Sequence, residues 1–166
     1  KDHGRFSSDG KEVFFGVENF QVNRVPYRDG VLDWAAATKI GAEKNSNGWI
    51  FKHFHQSPDG KKLYAGLNGN RPHSVFDLET GTRTEILGSP FGAGAGNQWK
   101  MVPGKDQFYL VESQNDRSWI RTQSVDSAGK AEEGTRTQLM TPHRAHILWE
   151  SDAIFLAHTD HELYVA

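Results

Sequence analysis

One stretch, residues 48–66, constrains the fold more than any other; it reads GWIFKHFHQSPDGKKLYAG. Two extended segments flank the turn Ser57-Pro58-Asp59-Gly60. Alternating apolar and polar residues on both sides of a Pro-Asp-Gly cluster predict a β-hairpin. Since side chains two positions apart in a strand point to the same face, His53 and His55 are expected to project together. Two imidazoles on one face of a strand indicate a site.

The hairpin occurs more than once in the chain. Residues 5–15 match residues 55–65 position by position through Ser-x-Asp-Gly-Lys. A weaker copy covers residues 100–110, and a more degraded copy covers residues 147–156. The spacing of these turns is about 40–50 residues, which is typical of propeller blades.

The second unit shows how one blade is completed. After its hairpin come a third strand at 74–78, a turn at 79–81 and a fourth strand at 82–87. The sequence therefore predicts an all-β fold, a β-propeller of four-stranded blades. The predicted blades cover residues 1–47, 48–91, 92–141 and, incompletely, 142–166, about three and a half blades of a larger ring.

Individual strands of the other blades are less sharply marked. Residues 31–40 end the first blade, with a short helical turn over 32–37 as the alternative. The third blade is predicted to contain strands at 119–124 and 135–140 around a polar loop at 126–134. A third strand of the last unit is predicted at 162–166. We expect the remaining blades to come from missing sequence, another chain or self-association, because open blades expose sheet edges.

Composition excludes several classes of function. With 36% hydrophobic residues and 17 glycines among 166 residues, the chain suits a β-rich domain with many turns. The net charge is -2 and there is no block of basic residues, so the sequence indicates no positively charged surface for binding nucleic acid. No apolar run is long enough to span a membrane. The absence of cysteine excludes disulfides and thiolate metal sites.

Several histidines fall at related places in the repeat. His3 lies six positions before Asp9, as His53 lies before Asp59, and His143 and His146 precede the fourth turn. In a propeller the first strands line the central channel, so these histidines are expected to converge there. Neutral imidazoles, with an amide oxygen from Gln98, suit a divalent cation. The alternative for each histidine is an ordinary hydrogen-bonded side chain. Solvated loop positions are predicted for His73, His158 and His161.

The same segments resemble a known family. Residues 2–11 resemble the His-x-x-[Phe/Trp]-Ser-x-Asp-Gly hairpin of the oligogalacturonate lyases, and residues 49–66 resemble the following blade of that family. Residues 139–143 resemble the segment in which a histidine enters the family's last blade, and residues 162–166 resemble its closing strand. Generic propeller hairpins of the TolB type share the Phe-Ser-Pro-Asp-Gly-Lys turn, so the histidines carry the resemblance.

The resemblance implies a seven-bladed propeller that binds a divalent metal and cleaves oligogalacturonate by β-elimination. It implies Mn first, with Fe, Ni or Zn as alternatives. The ligands that it implies are His3, His53, His143 and one or more of His55, His146 and Gln98. The chain departs from the family in its degraded turn at 149–152 and in the missing upstream half.

The chemistry of β-elimination assigns roles to the remaining candidates. A base removes the proton α to the uronate carboxylate, and His55 or His146 could act as that base. Arg144 and Lys100 lie near first-strand starts and could bind the carboxylates of an acidic oligosaccharide, with ordinary solvated charges as the alternative. The rival functions are a non-catalytic TolB-type propeller acting as a protein-interaction scaffold and a channel-metal oxidoreductase. The aspartates of the turns (Asp9, Asp29, Asp59 and Asp152) are interpreted as structural.

Overall fold

The computed structural model consists almost entirely of antiparallel sheet. It describes residues 4–41, 48–67, 73–86, 98–102, 104–114, 117–126, 129–139, 146–150, 155–158 and 163–165. The chain divides into two compact units, residues 1–68 with 72–85 and residues 69–71 with 86–166. The first two sheets belong to the first unit and the last two to the second.

The first sheet has five strands: β1 (Gly4–Phe6), β2 (Glu12–Val17), β3 (Gln21–Arg28), β4 (Val31–Leu32) and β5 (Thr38–Ile40). The first three pair in chain order, and β3 pairs with both β4 and β5. Between β4 and β5 lies a short 3₁₀ helix, Trp34–Ala36, at whose start the Asp33 carboxylate accepts a hydrogen bond from the Ala36 N–H. Both interpretations of residues 31–40 are thus partly right, since a helical turn and a closing strand occur there.

The other sheets repeat the up-and-down order. The second sheet contains β6 (His53–Gln56), β7 (Lys62–Gly66), β8 (Ser74–Asp77) and β9 (Arg83–Glu85). The third contains β10 (Gln98–Met101), β11 (Phe108–Gln114), β12 (Arg117–Val125) and β13 (Ala131–Leu139). The fourth contains β14 (His146–Glu150), β15 (Phe155–His158) and β16 (Leu163–Val165). In each of these three sheets the strands are neighbours in chain order.

Two sequence-based predictions about the later strands are wrong. The polar loop at 126–134 is shorter than predicted because β13 begins at Ala131, which pairs with Val125. Strand pairing is made by the backbone, so a polar segment can continue a ladder at an exposed edge; Glu132 is exposed there. His158 was predicted in a loop but lies in β15, opposite His146 of β14.

The repeated turns are alike in atomic detail. Ser7 Oγ donates to Asp9 Oδ1 over 2.7 Å, and Ser57 Oγ donates to Asp59 Oδ1 over 2.6 Å. In both turns the aspartate accepts from the backbone N–H two residues later, and the glycine that follows it has a positive φ, +70° at Gly10 and +73° at Gly60. Such a conformation favours glycine. The predicted repeat and the structural role of both turn aspartates are confirmed.

The first two sheets pack face to face within their unit. Phe14, Val22 and Ile40 of the first sheet share one buried cluster with residues of the second sheet. The members from the second sheet and its leading segment are Phe51, Phe54, Leu63, Ala65, Phe76 and Leu78. Phe51 lies before β6, because the apolar run 49–51 leads into the strand rather than forming part of it. Its carbonyl oxygen approaches Gly16 so closely that a side chain there would overlap it.

Polar contacts close both ends of this packed pair. At the end with the Ser-x-Asp-Gly turns, the Ser8 N–H donates to Gln56 Oε1 over 2.6 Å. Arg24 also donates to the Leu78 carbonyl over 2.8 Å and to both carboxylate oxygens of Glu12. At the opposite end the ring of Phe20 stacks on His73, with 5.1 Å between centroids. The two sheets are therefore joined by side-chain contacts at both ends as well as by their apolar core.

Candidate functional site

The strand β6 carries the histidine pair predicted from the sequence. His53 pairs with Gly66 and His55 with Tyr64 on β7, so both histidines lie on the face opposite Phe54. Phe54 is only 4% exposed and packs into the core, whereas His53 is exposed and His55 is half-buried. The structure thus anchors the strand through its apolar residue and leaves the first imidazole accessible.

The local sequence explains this placement. The turn at Ser57 fixes the register of β6 against β7, because the Ser57 N–H donates to the Lys62 carbonyl over 2.9 Å and the Lys62 N–H returns a bond to Ser57 Oγ. With the register fixed, alternation decides which residues face the core. A shift by one residue would bury both imidazoles and expose Phe54.

The remaining predicted site residues belong to the other unit or lie outside the described residues. Gln98 and Lys100 are on β10, on either side of the buried Trp99, and therefore share one face of that strand. His146 begins β14. The candidates that lie outside the described residues are His3, His143 and Arg144.

The first strands of successive sheets are neighbours within each unit. β1 and β6 approach each other in the first unit, and β10 and β14 do so in the second. The predicted lining of the channel by first strands requires the first strands of successive blades to be adjacent, and within each unit they are. In the second unit this brings the strand of Gln98 and Lys100 next to the strand of His146.

The described residues supply only part of a metal site. Among them, no group of three or more histidine or carboxylate side chains lies close enough together to hold an ion. The pair His53 and His55 fits by chemistry, because imidazole nitrogens two residues apart on one strand face offer donors suited to a borderline divalent cation. A complete ligand set needs further donors beyond this pair.

A groove of about 1000 Å³ opens at the other end of the first unit, between the repeated turns. Its lining carries charges of both signs, with Lys11 and Lys61 beside Asp9 and Asp59. The pKa of Asp59 is lowered, chiefly by the hydrogen bond from Ser57 and then by that from the Lys61 N–H. The pKa of Asp9 is lowered in the same way by Ser7 and the Lys11 N–H. These carboxylates accept hydrogen bonds within their own turns, and their lowered pKa values make them poor candidates for acid–base chemistry.

Sequence reasoning missed a cluster around His73, which was predicted to be solvated. Its side chain is only 20% exposed, stacks on Phe20 and contacts Ser74 Oγ through Nδ1 over 3.0 Å. The guanidinium of Arg83 donates to the same hydroxyl and lies 4.7 Å from the centroid of the Phe20 ring. Burial lowers the pKa of Arg83, and Glu85 partly opposes that shift. The prediction failed because these contacts join two sheets and leave no local pattern.

The backbone beside this cluster is strained. Phe20 has φ = +60° and follows Asn19, with φ = +63°. A left-handed phenylalanine is unfavourable and persists only where surrounding contacts hold it. A left-handed conformation at Asn19 can be expected from the sequence, because asparagine tolerates it, whereas the same conformation at Phe20 cannot.

No protein-family model matches the chain, and no curated protein matches it. Solved structures do match. A chain of the mitotic checkpoint complex is similar over 97% of this chain and 48% of its own length, with 16% identity and a TM-score of 0.54. A Bacteroides fragilis protein provisionally assigned as a 6-phosphogluconolactonase is similar over 83% of this chain and 37% of its own, with 24% identity and a TM-score of 0.49.

The likeness to the checkpoint-complex chain establishes the fold and nothing finer. The chain forms part of a β-propeller, as predicted, and spans about half the length of the checkpoint-complex chain that it matches. Neither of these two structures supports the oligogalacturonate lyase family specifically. Among the described residues there is no helix long and apolar enough to cross a membrane.

Proposed function

We propose that the chain is part of a metal-dependent polysaccharide lyase that cleaves oligogalacturonate, or a related uronate oligosaccharide, by β-elimination. The observation that carries the proposal is the presentation of His53 and His55 on one face of a first strand, with His53 exposed. The proposal is further supported by the equivalence of the two turns, because His3 precedes its turn aspartate by six positions in the sequence, as His53 does.

In this proposal His53 would hold the cation, with His3, His143 and Gln98 as the further ligands that the resemblance implies. When bound, such a cation neutralises the uronate carboxylate and makes the adjacent C–H more acidic. His55 or His146 would remove the proton at C5; the electron pair left behind forms the C4–C5 double bond as the C4–O bond breaks, and the departing oxygen takes up a proton from water. Lys100 and Arg144 bind carboxylates along the oligosaccharide.

Metal binding is the first test. We expect the purified chain, loaded with Mn²⁺ and then desalted, to retain the metal, and His53→Ala to weaken its affinity at least about 100-fold, because a lost ligand costs more than a lost supporting contact. His73→Gln is the matched control, since His73 is a histidine of the same unit that serves packing. Equal affinity in His53→Ala and wild type would refute the ligand assignment.

Activity separates the lyase from the rival classes. We expect the metal-loaded protein to release unsaturated uronate from oligogalacturonate, followed by ultraviolet absorbance, and His55→Ala to lower kcat by roughly 10²–10⁴-fold if it is the base. Lys100→Ala should raise KM, whereas Lys105→Ala, in the exposed turn after β10, should not. A protein that binds neither metal nor oligogalacturonate would instead support a non-catalytic propeller scaffold.

A further inference from the structure

Three aspartates of the chain are followed directly by a glycine: Asp9, Asp29 and Asp59. At an Asp-Gly step the backbone nitrogen of the glycine can attack the aspartate carboxyl with little hindrance, because glycine carries no side chain. Asp9 and Asp59 belong to the repeated turns, whereas Asp29 lies in the loop between β3 and β4. All three belong to the first unit, so their surroundings can be compared directly.

The reacting groups at Asp9 and Asp59 are held by hydrogen bonds. Each carboxylate accepts from a serine Oγ and from the backbone N–H two positions later. The glycine N–H that would attack is also engaged, because it donates to the carbonyl of the turn serine, over 3.0 Å in the first turn and 2.9 Å in the second. These hydrogen bonds lower the pKa of both carboxyls, so the neutral form, from which water is lost, is less populated.

Asp29 has none of these restraints. In the part of the chain that the structure describes, its carboxylate accepts no hydrogen bond and the Gly30 N–H donates none. Both residues are exposed and have positive φ, +50° at Asp29 and +84° at Gly30, as in the two-residue loop of a type I′ hairpin. Two pairs of residues join β3 to β4, and Val31 after the loop is 66% exposed. A loop held by so few contacts opens at little cost.

A loop in this position stays exposed even where a neighbouring sheet is packed in place. In the second sheet, which the first sheet covers, residues 79 and 80 of the equivalent loop are exposed. The two loops are equivalent because Val25 and Phe76 pair with matching residues of their second strands. The aspartate of the second loop, Asp77, is followed by Leu78 rather than by glycine.

We propose that Asp29 is a site of spontaneous isoaspartate formation, modified in preference to Asp9 and Asp59. The Gly30 nitrogen attacks the neutral carboxyl of Asp29, a new N–C bond forms, and the carboxyl hydroxyl leaves with the N–H proton as water. Water then adds to the main-chain carbonyl carbon of Asp29, whose bond to the Gly30 nitrogen breaks. The water lost in the first step is regained in the second, so no further reactant is needed.

The product changes the loop. The main chain now runs through the side-chain carboxyl of residue 29 and gains one methylene, while the former main-chain carbonyl becomes a free carboxylate. A two-residue loop lengthened in this way cannot keep the pairing of Arg28 with Val31 as it stands. We therefore expect the modified chain to lose the contact between β3 and β4.

The test is peptide mapping of the folded chain after several weeks at about pH 5, where an ordinary carboxyl is partly neutral. The solvent is water labelled with oxygen-18, because hydrolysis of the cyclic imide inserts one labelled oxygen. Cleavage after lysine places the three Asp-Gly steps in separate peptides, residues 2–11, 12–39 and 53–61, and the Asn-Gly steps at 47–48 and 68–69 in others. We expect labelled isoaspartate at residue 29 to form at least about tenfold faster than at residues 9 and 59, since each of those carboxylates must first lose a charge-assisted hydrogen bond.

Two variants make the outcome decisive, with circular dichroism confirming that each is folded. Asp29→Glu should abolish the label in peptide 12–39, because the longer side chain closes its larger ring far more slowly. Ser57→Ala should raise the rate at Asp59 and leave the rate at Asp29 unchanged, because it removes the hydrogen bond to that carboxylate.

Equal rates at the three aspartates overturn the proposal. So does label that persists in peptide 12–39 of Asp29→Glu, or an unchanged rate at Asp59 in folded Ser57→Ala. These measurements use neither metal nor oligogalacturonate, so their result and that of the lyase proposal are independent.

Discussion

The first and second blades start from nearly the same hairpin and end in different surroundings. In both, a serine hydroxyl and an aspartate close the turn with the same hydrogen bonds. In the second blade Leu63, Tyr64 and Ala65 are all 0% exposed, so β7 is buried on both faces. In the first blade Val13 and Phe14 are buried, but Phe15 is only half-buried, and Phe6, which pairs with Val13, is 53% exposed. Local sequence thus determines the hairpin, and the neighbours determine how much of it is covered.

The largest expected effect comes from the covered face of the first blade. Phe14→Ala should lower the free energy of unfolding by about 3–5 kcal/mol, because it leaves a cavity in the cluster shared by both sheets. Phe6→Ala should lower it by about 1 kcal/mol or less, because that ring is half exposed. Urea unfolding of dilute protein measures both. Equal losses would mean that the two faces are covered to the same extent.

A smaller and equal effect is expected in the two turns. Ser7→Ala and Ser57→Ala should each destabilise the protein by about 1–2 kcal/mol, since each removes a buried hydroxyl that donates to an aspartate and accepts from a backbone N–H. Ser8→Ala, at an exposed neighbouring position, is the control. A marked inequality between Ser7 and Ser57 would show that the repeated turns are not energetically equivalent.

The smallest expected effect is on how the free energy of unfolding depends on pH. Because hydrogen bonds lower the pKa of Asp9 and Asp59 in the folded state, their contribution is present above the unfolded pKa of about 4 and disappears as the pH falls through the folded value. The double variant Asp9→Asn and Asp59→Asn should therefore be less stable than wild type at pH 6, and the difference should shrink toward pH 2. The urea concentration at the midpoint of unfolding, compared between the double variant and wild type across this pH range, measures the difference in stability. A difference that does not change with pH would contradict the lowered pKa values of Asp9 and Asp59.

The hairpins were predictable because their information is local. A Ser-x-Asp-Gly turn needs only four neighbouring residues and a glycine that tolerates positive φ. The alternation around Phe54 then placed His53 and His55 on one face, as found. The start of β13 was missed because Glu132 and its neighbours lack the apolar alternation that marks a strand, although their backbone completes the ladder.

The candidate site was predictable only in part. Sequence spacing identified His53 from its distance to a turn, and the structure leaves that residue accessible. It could not reveal that His73 stacks on Phe20, because those residues are brought together by the packing of two sheets. Contacts between sheets depend on shape and register at many positions together, and no short motif encodes them.

The close approach of Phe51 to Gly16 has a consequence for how this protein can change over generations. The matching position of the second blade is also a glycine, Gly66, so both copies of the hairpin retain the smallest residue near the end of their second strand. A single added methyl group at position 16 would meet the Phe51 carbonyl and force the sheets apart. Aromatic rings elsewhere in the interface can be exchanged for others of similar volume. Large core side chains at this interface can therefore be replaced by others of similar volume, whereas position 16 accepts no side chain at all.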